Sequence, residues 1–135
     1  MTRGILSRMT PPVIQRWIDI LHDRRADDLD TLIADDAVFV SPVVFSPQEG
    51  KALTLRYLTA AIEVFGGDDF RYVEQWFGDR SAVLEFVTTV DGMQVNGVDM
   101  IHWNDADRIT SFKVMLRPIK GIQVVVPRMA ALLQG

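Results

Sequence analysis

The Asp91-Gly92 pair lies between two long runs of β-favouring residues, and it constrains the fold more than any other feature of the sequence. Asp-Gly is the typical two-residue turn of a β-hairpin, because both of its positions must adopt a positive φ. The pair therefore predicts that the strands on either side of it are antiparallel neighbours. In that register Leu84 lies opposite Asp99.

Asp99 is the one acidic residue on a strand face that otherwise carries Met93, Val95, Gly97, Ile101 and Trp103. An unpaired buried charge is too costly, so this carboxyl group must pair, lose its charge or face a cavity. The preceding strand brings Leu84 and Phe86 to the same face. A turn at 104–107 predicts that Phe112 of the following strand lies opposite Asp99. We expect these apolar neighbours to raise the pKa of Asp99 well above its usual value of about 3.9.

Helical spacing of apolar residues predicts two helices before the first strand and a third helix after it. The first begins at Pro11-Pro12, the second is short and capped by Asp27, and the third spans Lys51–Phe65. The predicted strands cover 37–41, 70–77, 81–90, 93–103 and 108–116, with a loop at 43–50. Helices followed by a meander of antiparallel strands indicate an α+β fold, whose curved sheet wraps around the early helices.

An apolar tail at 119–135 follows the last strand, with helical spacing between Ile119 and Leu133. Pro127 and the three consecutive valines before it lower the helix propensity, so we expect a kinked or short terminal helix. An apolar segment that follows a completed sheet must bury itself on a surface that is already folded. We therefore expect the tail to close the mouth of the cavity.

Composition and charge narrow the classes of protein that fit. A chain of 135 residues with 48% apolar and 24% charged residues is typical of one globular domain, with residues 1–10 as an N-terminal extension. The net charge of −4, without a basic block, argues against a nucleic-acid partner. The absence of cysteine excludes disulfides and thiolate chemistry. With no signal peptide and no apolar run long enough for a membrane span, we expect a cytoplasmic protein without a membrane partner.

Several segments resemble the nuclear transport factor 2-like superfamily, which includes ketosteroid isomerases and SnoaL-type polyketide cyclases. The resemblance covers about residues 13–118 and rests on Val13–Trp17, on Leu32–Val38, and on Asp99–Asn104 followed by Arg108-Ile109. It implies a cone-shaped, cystatin-like α+β fold, with a single SnoaL-like domain over 1–135. Members commonly pair through the outer face of the sheet, so the resemblance also implies a homodimer. The apolar residues that such pairing would bury are Val83, Val87, Val98, Met100 and Met115.

The resemblance to ketosteroid isomerases extends to individual positions. Asp99 matches the protonated aspartic acid that donates a hydrogen bond to the substrate oxyanion in those enzymes. Their catalytic tyrosine falls on Trp17, whose indole is a weaker acid. Their general base falls on Ser41, and because serine cannot act as that base, the steroid isomerase reaction is not expected. Tyr57 matches a position near the cavity.

The sequence predicts Asp99 as the catalytic residue. The predicted ligand-binding residues are Trp17, Ser41, Tyr57, Leu84, Phe86, Ile101 and Phe112. Asp99 has a structural alternative, in which it pairs with a helix N-terminus or a tryptophan N–H. Trp17 and Tyr57 could equally be core residues, and Ser41 could make a local turn contact. No metal site or cofactor is predicted, since the two histidines lack the spacing of metal ligands.

Three functions fit this pattern. The first is an enzyme of the isomerase, cyclase or dehydratase type that acts on a small apolar molecule bearing a carbonyl or hydroxyl group. In it, Asp99 is the general acid or hydrogen-bond donor. The second is a binding module that uses the same cavity without catalysis, which the missing base at Ser41 favours. The third is a dimerisation domain whose cavity is filled by side chains.

Overall fold

A computed structural model describes residues 9–134, so most of the predicted N-terminal extension lies outside the described residues. In chain order the elements are helix α1 (Pro12–Asp23), a 3-10 helix (Ala26–Thr31), β1 (Ile33–Val40), β2 (Gln48–Glu49), α2 (Lys51–Phe65), β3 (Arg71–Phe77), β4 (Ser81–Val90), β5 (Met93–Trp103), β6 (Ile109–Arg117) and α3 (Ile119–Leu133). The predicted α+β class is confirmed.

Two predicted boundaries near the start of the chain are wrong. Asp27 does not cap the second helix but lies inside it, because the 3-10 helix begins one residue earlier, with Arg25 at the N-cap position. Strand β1 begins at Ile33 rather than at residue 37, because Ile33 already pairs with Ile109. Within the predicted loop at 43–50, the two residues of β2 pair with β1. A strand of two residues is too short to produce a periodic pattern in the sequence.

The strands form one curved, open sheet in the order β2-β1-β6-β5-β4-β3. Neighbouring strands are antiparallel except for β1 and β6, which are parallel. Side chains of α1, α2 and the inner face of the sheet form the main core, which includes Ile14, Trp17, Leu58, Leu84, Ile101 and Phe112. Asp99 lies on this inner face and is only 5% exposed.

The hairpin formed by β4 and β5 has the predicted register, with Leu84 opposite Asp99. Both turn residues adopt a positive φ, 51° at Asp91 and 78° at Gly92, as a two-residue hairpin turn requires. The position of Asp99 on the inner face therefore follows from the turn and from strand alternation.

The predicted register of the next hairpin is wrong. Val114, and not Phe112, lies opposite Asp99. Trp103 pairs with Ile109 and not with Arg108, which shifts the register by one residue, and a β-bulge between His102 and Trp103 shifts it by one more. The turn residues alone do not reveal such irregularities. The displacement at Asp99 is two residues. Because side chains repeat every two residues along a strand, Phe112 still lies on the inner face.

A second bulge changes the face of a side chain in β3. Near its C-terminal end β3 pairs regularly with β4, with Phe77 opposite Ala82. The register shifts by one residue at Val73, so that Tyr72 pairs with the inner-face residue Phe86. Continued regular pairing would have placed Tyr72 opposite the next residue of β4, on the outer face.

Helix α3 is longer than the sequence predicts. It runs without a break over 15 residues and contains Pro127, so the prediction of a short helix is wrong. Its buried residues are Gly121 and Val125, and it packs against α2, β5 and β6. This packing offsets the backbone hydrogen bond that the proline cannot make. No helix within residues 9–134 has both the length and the apolar content that a bilayer crossing needs.

Candidate functional site

Asp99 belongs to a chain of three hydrogen-bonded side chains. The Tyr72 hydroxyl donates to Asp99 Oδ2 at 2.5 Å, and the indole Nε1–H of Trp17 donates to the Tyr72 oxygen at 2.8 Å. These side chains come from β5, β3 and α1, so the helix and the bulged strand together position the carboxyl group. Among residues 9–134, the hydrogen bond from Tyr72 to Oδ2 is the only one that the carboxyl group of Asp99 accepts from a side chain.

Burial raises the pKa of Asp99 from its ordinary value of 3.8 to about 7, although the hydrogen bond from Tyr72 acts in the opposite direction. Burial also raises the pKa of Tyr72 well above 10.0, and the negative charge of Asp99 adds to this effect. Tyr72 therefore keeps its proton. With a pKa of about 7, Asp99 can exchange a proton near neutral pH.

The space beside Asp99, here called the Asp99 cavity, has a volume of about 30 Å³. Its walls include Trp17, Leu58, Ala61, Phe65, Tyr72, Phe86, Phe112 and Val114. A cavity of this size holds about one or two water molecules. The Phe86 ring packs directly against β5, because Gly97, the neighbour of Asp99 on that face, has no side chain. A Cβ at Gly97 would lie 2.5 Å from the Phe86 ring.

A larger space, here called the apolar chamber, adjoins the Asp99 cavity and has a volume of about 250 Å³. It is lined by Phe39, Ser41–Val44, Tyr57, Ala61, Phe65, Val114 and Leu116, and by Val125, Val126, Met129, Ala130 and Leu133 of α3. Ala61, Phe65 and Val114 border both spaces. Apart from Ser41 and Tyr57, the side chains within residues 9–134 that line the chamber are apolar.

A third space lies on the other side of Tyr72, here called the outer cleft. Its charged and polar lining residues are His22, Arg24, Asp68, Arg71 and Gln75. Leu21, Phe70 and Tyr72 separate it from the Asp99 cavity, because they border both spaces. Asp99 therefore lies between an apolar space and a polar one.

The predicted ligand-binding residues divide into three groups. Trp17, Phe86 and Phe112 line the Asp99 cavity. Ser41 and Tyr57 line the apolar chamber and do not contact Asp99. Leu84 and Ile101 are 0% exposed and line neither space, so in this structure they pack around Asp99 and desolvate it.

Ser41 and Tyr57 both contact neighbouring residues of the chamber wall. The Ser41 Oγ accepts hydrogen bonds from the backbone N–H groups of Val43 and Val44, which is the turn contact that the sequence leaves open as an alternative. The Tyr57 ring stacks on Phe39, with ring centroids 4.9 Å apart. Both residues shape the chamber wall.

Tyr72 is the site residue that sequence reasoning misses. Nothing in the sequence marks the bulge that turns its side chain inward. One signal could have identified it, which is a tyrosine in the predicted strand before β4. A buried tyrosine hydroxyl needs a hydrogen-bond partner, and Asp99 is the acidic residue that the sequence places on the inner face.

Few other groups at the site can carry a proton. Of the described residues that line the Asp99 cavity and the chamber, only Asp99, Tyr72 and Tyr57 are titratable. Within residues 9–134 no three histidine, aspartate or glutamate side chains are grouped as metal ligands would be. The arrangement suits proton donation or hydrogen bonding to a ligand oxygen.

Known proteins resemble this chain in sequence and fold. A steroid delta-isomerase from Pseudomonas aeruginosa shares 34% sequence identity, with a TM-score of 0.85, over 90% of this chain and 89% of that chain. An uncharacterised protein with a cystatin-like fold from Silicibacter pomeroyi shares 27% identity, with a TM-score of 0.81, over 89% of this chain and 84% of that chain.

A more distant neighbour shares the fold. An epoxide hydrolase/cyclase-like enzyme of pyran ring formation in the polyether salinomycin has a TM-score of 0.64 over 79% of this chain and 89% of that chain. At 14% identity it shows the fold alone. No curated protein sequence matches the chain. The sequence model of the SnoaL-like domain matches residues 14–112, which is most of the chain. This protein therefore belongs to the SnoaL-like domain family.

Proposed function

We propose that this protein is an enzyme of the isomerase, cyclase or dehydratase type that acts on a small apolar compound bearing a carbonyl or hydroxyl group. The observation that carries the proposal is the buried Asp99–Tyr72 pair beside an apolar space. A carboxyl group with a pKa of about 7 suits general acid catalysis near neutral pH. The similarity to a steroid delta-isomerase at 34% identity supports the same class of reaction.

Asp99 acts in its protonated form, which predominates below about pH 7. Tyr72 occupies Oδ2, so the acidic proton is carried by Oδ1 and points to the oxygen of a bound ligand. A hydrogen bond to a carbonyl oxygen stabilises the negative charge that develops there when a water molecule takes a proton from the neighbouring carbon. The apolar surroundings strengthen this interaction, because electrostatic forces are weakly screened in them.

The alternative is a binding module that holds the same class of compound without turning it over. One observation favours it: among the described residues that line the two spaces, no carboxylate, histidine or lysine other than Asp99 is present to accept a proton from carbon. Ser41, at the position of the isomerase base, accepts backbone N–H groups in a turn.

Exchange of carbon-bound hydrogen separates the two functions. We expect the protein to accelerate deuterium incorporation next to the carbonyl of 2-octanone or cyclohexanone in D₂O, followed by proton NMR. Asp99→Asn should lose about a hundredfold or more of this acceleration. Asp105→Asn, in an exposed turn, is the matched control and should retain it. The wild-type rate should fall as the pH rises through about 7, because the protonated form is lost.

Binding of these ketones without any acceleration of exchange would favour the binding module. Acceleration that Asp99→Asn retains in full would contradict the role of Asp99.

We further propose that the protein works in the cytoplasm as a homodimer that pairs through the outer face of the sheet. On this face Met115 is 46% exposed and Trp76 is 52% exposed, beside half-buried Val83 and Met100. Light scattering at micromolar concentration should give twice the mass of the chain. Met100→Glu should give the mass of one chain, while Ala52→Glu, at an exposed position of α2, should not. A wild-type monomer would contradict the proposal.

A further inference from the structure

The direction in which a ligand extends from Asp99 follows from the walls of the Asp99 cavity. With a volume of about 30 Å³ this cavity accepts a ligand's polar group but not its body. The body must therefore pass either between Ala61, Phe65 and Val114 into the apolar chamber, or past Tyr72 into the outer cleft.

The chemistry of the two spaces decides between these directions. An apolar body in the outer cleft would remove water from the charged groups of Arg24, Asp68 and Arg71, which is costly. In the apolar chamber the same body would replace water against almost entirely apolar side chains, which is favourable. The body of an apolar ligand therefore belongs in the chamber.

The chamber also limits the size of that body. At about 30 Å³ for each water-sized group, a volume of about 250 Å³ holds about eight such groups. A single ring or a short chain has this size, whereas the fused four-ring skeleton of a steroid is larger. Helix α3 supplies five of the lining residues, and it lies beyond residues 14–112, the segment that matches the SnoaL-like domain.

We propose that α3 sets the upper size of the ligand, with Met129 and Ala130 as specificity-determining residues, and that the substrate is a small ketone or alcohol with an apolar body of about eight non-hydrogen atoms. This inference rests on the proposed function, because it places the polar group of the ligand at Asp99. The partly buried Met129 and the exposed Ala130 both line the chamber, and neither contacts Asp99.

The test measures affinity for methyl alkyl ketones from 2-butanone to 2-tridecanone at about pH 6, where Asp99 is mostly protonated. Two NMR signals report binding: the carboxyl carbon of Asp99, assigned with Asp99→Asn, and the indole N–H of Trp17. We expect the affinity to rise about fourfold with each added methylene group and to level off at about eight chain carbons. A steroid ketone, 4-androstene-3,17-dione, should not shift either signal.

Three variants locate the size limit. Met129→Ala removes three non-hydrogen atoms from the chamber wall, so the plateau should move to chains about three carbons longer. Ala130→Phe fills part of the chamber and should move the plateau to shorter chains. Ala131→Phe makes the same substitution at the next residue, which is exposed and does not line the chamber, and should change nothing. Thermal unfolding checks that all three variants are folded.

The outcomes separate the inference from the proposed function. If the ketones shift the Asp99 signal but none of the α3 variants changes the chain-length dependence, the inference is overturned and the proposed function stands. If the steroid ketone binds as tightly as 2-octanone, the inference is likewise overturned and the proposed function stands. If no ketone of any length shifts the Asp99 signal, the proposed function itself fails.

Discussion

The Asp99 cavity and the apolar chamber share three wall residues but are built in different ways. The Asp99 cavity lies on the central strands of the sheet, holds a hydrogen-bonded chain of side chains and has about 30 Å³ of free space. The chamber has about 250 Å³ of free space, and its outer walls are a loop and the terminal helix. The paired strands thus determine the position of Asp99, while the loop and the terminal helix determine the shape of the space that leads to it.

The largest expected effect concerns packing. Leu84→Ala removes a fully buried side chain opposite Asp99 and should lower the free energy of unfolding by about 3 to 5 kcal/mol. Met129→Ala truncates a side chain that already borders empty space, and should lower it by about 1 kcal/mol. Urea denaturation of both variants measures the difference. Equal losses would show that the two regions are packed alike.

The next effect concerns charge. Because the pKa of Asp99 is about 7 in the folded protein and near 3.8 in the unfolded chain, the folded state binds more protons between these values. The stability that Asp99 contributes is complete below about pH 4 and is lost as the pH rises to about 7. A neutral residue at this position avoids that loss.

We therefore expect Asp99→Asn to be more stable than the wild type at about pH 8, by about 2 to 4 kcal/mol, and nearly equal to it at about pH 4. The difference in the free energy of unfolding, measured across this range, isolates Asp99 from the other carboxyl groups. A variant that is much less stable than the wild type at about pH 8 would instead indicate that the charged form of Asp99 is held by a structural ion pair.

The smallest effect concerns motion. Helix α3 has two buried residues and an internal proline, so it should open more readily than the central strands. Amides at 122–133 should exchange hydrogen about tenfold faster than those of β4, β5 and β6, and 2-octanone should slow them. Exchange in α3 as slow as in the strands would remove the distinction between the two regions. If truncation after Pro118 left the affinity for ketones unchanged, α3 would have no role in ligand access.

The part of the site that lies on one hairpin could be predicted from the sequence. Asp91 and Gly92 specify a two-residue turn, the turn specifies the register, and alternation along the strand then places Asp99 on the inner face. Each of these steps depends on residues that are close together in the chain. The raised pKa of Asp99 follows from the same steps, because its neighbours on that face are apolar.

The rest of the site depends on features that leave no local signal. The register of β6 and the face of Tyr72 each depend on a bulge, which a regular pattern of residues does not reveal. The chamber is formed by Ser41–Val44 and α3, which are far apart in the sequence. Pro127 lowers the helix propensity of α3, and only packing against the folded sheet overrides it.

The bulge at Val73 has a consequence for how relatives of this protein are compared. Which face the Tyr72 side chain occupies depends on the number of residues between it and the regular part of β3, and not on the tyrosine itself. Deletion of one residue there would turn the hydroxyl group away from Asp99, although both residues would still be present in the sequence. A tyrosine that aligns with Tyr72 in another protein is thus a shared site residue only where the length of the strand is also the same.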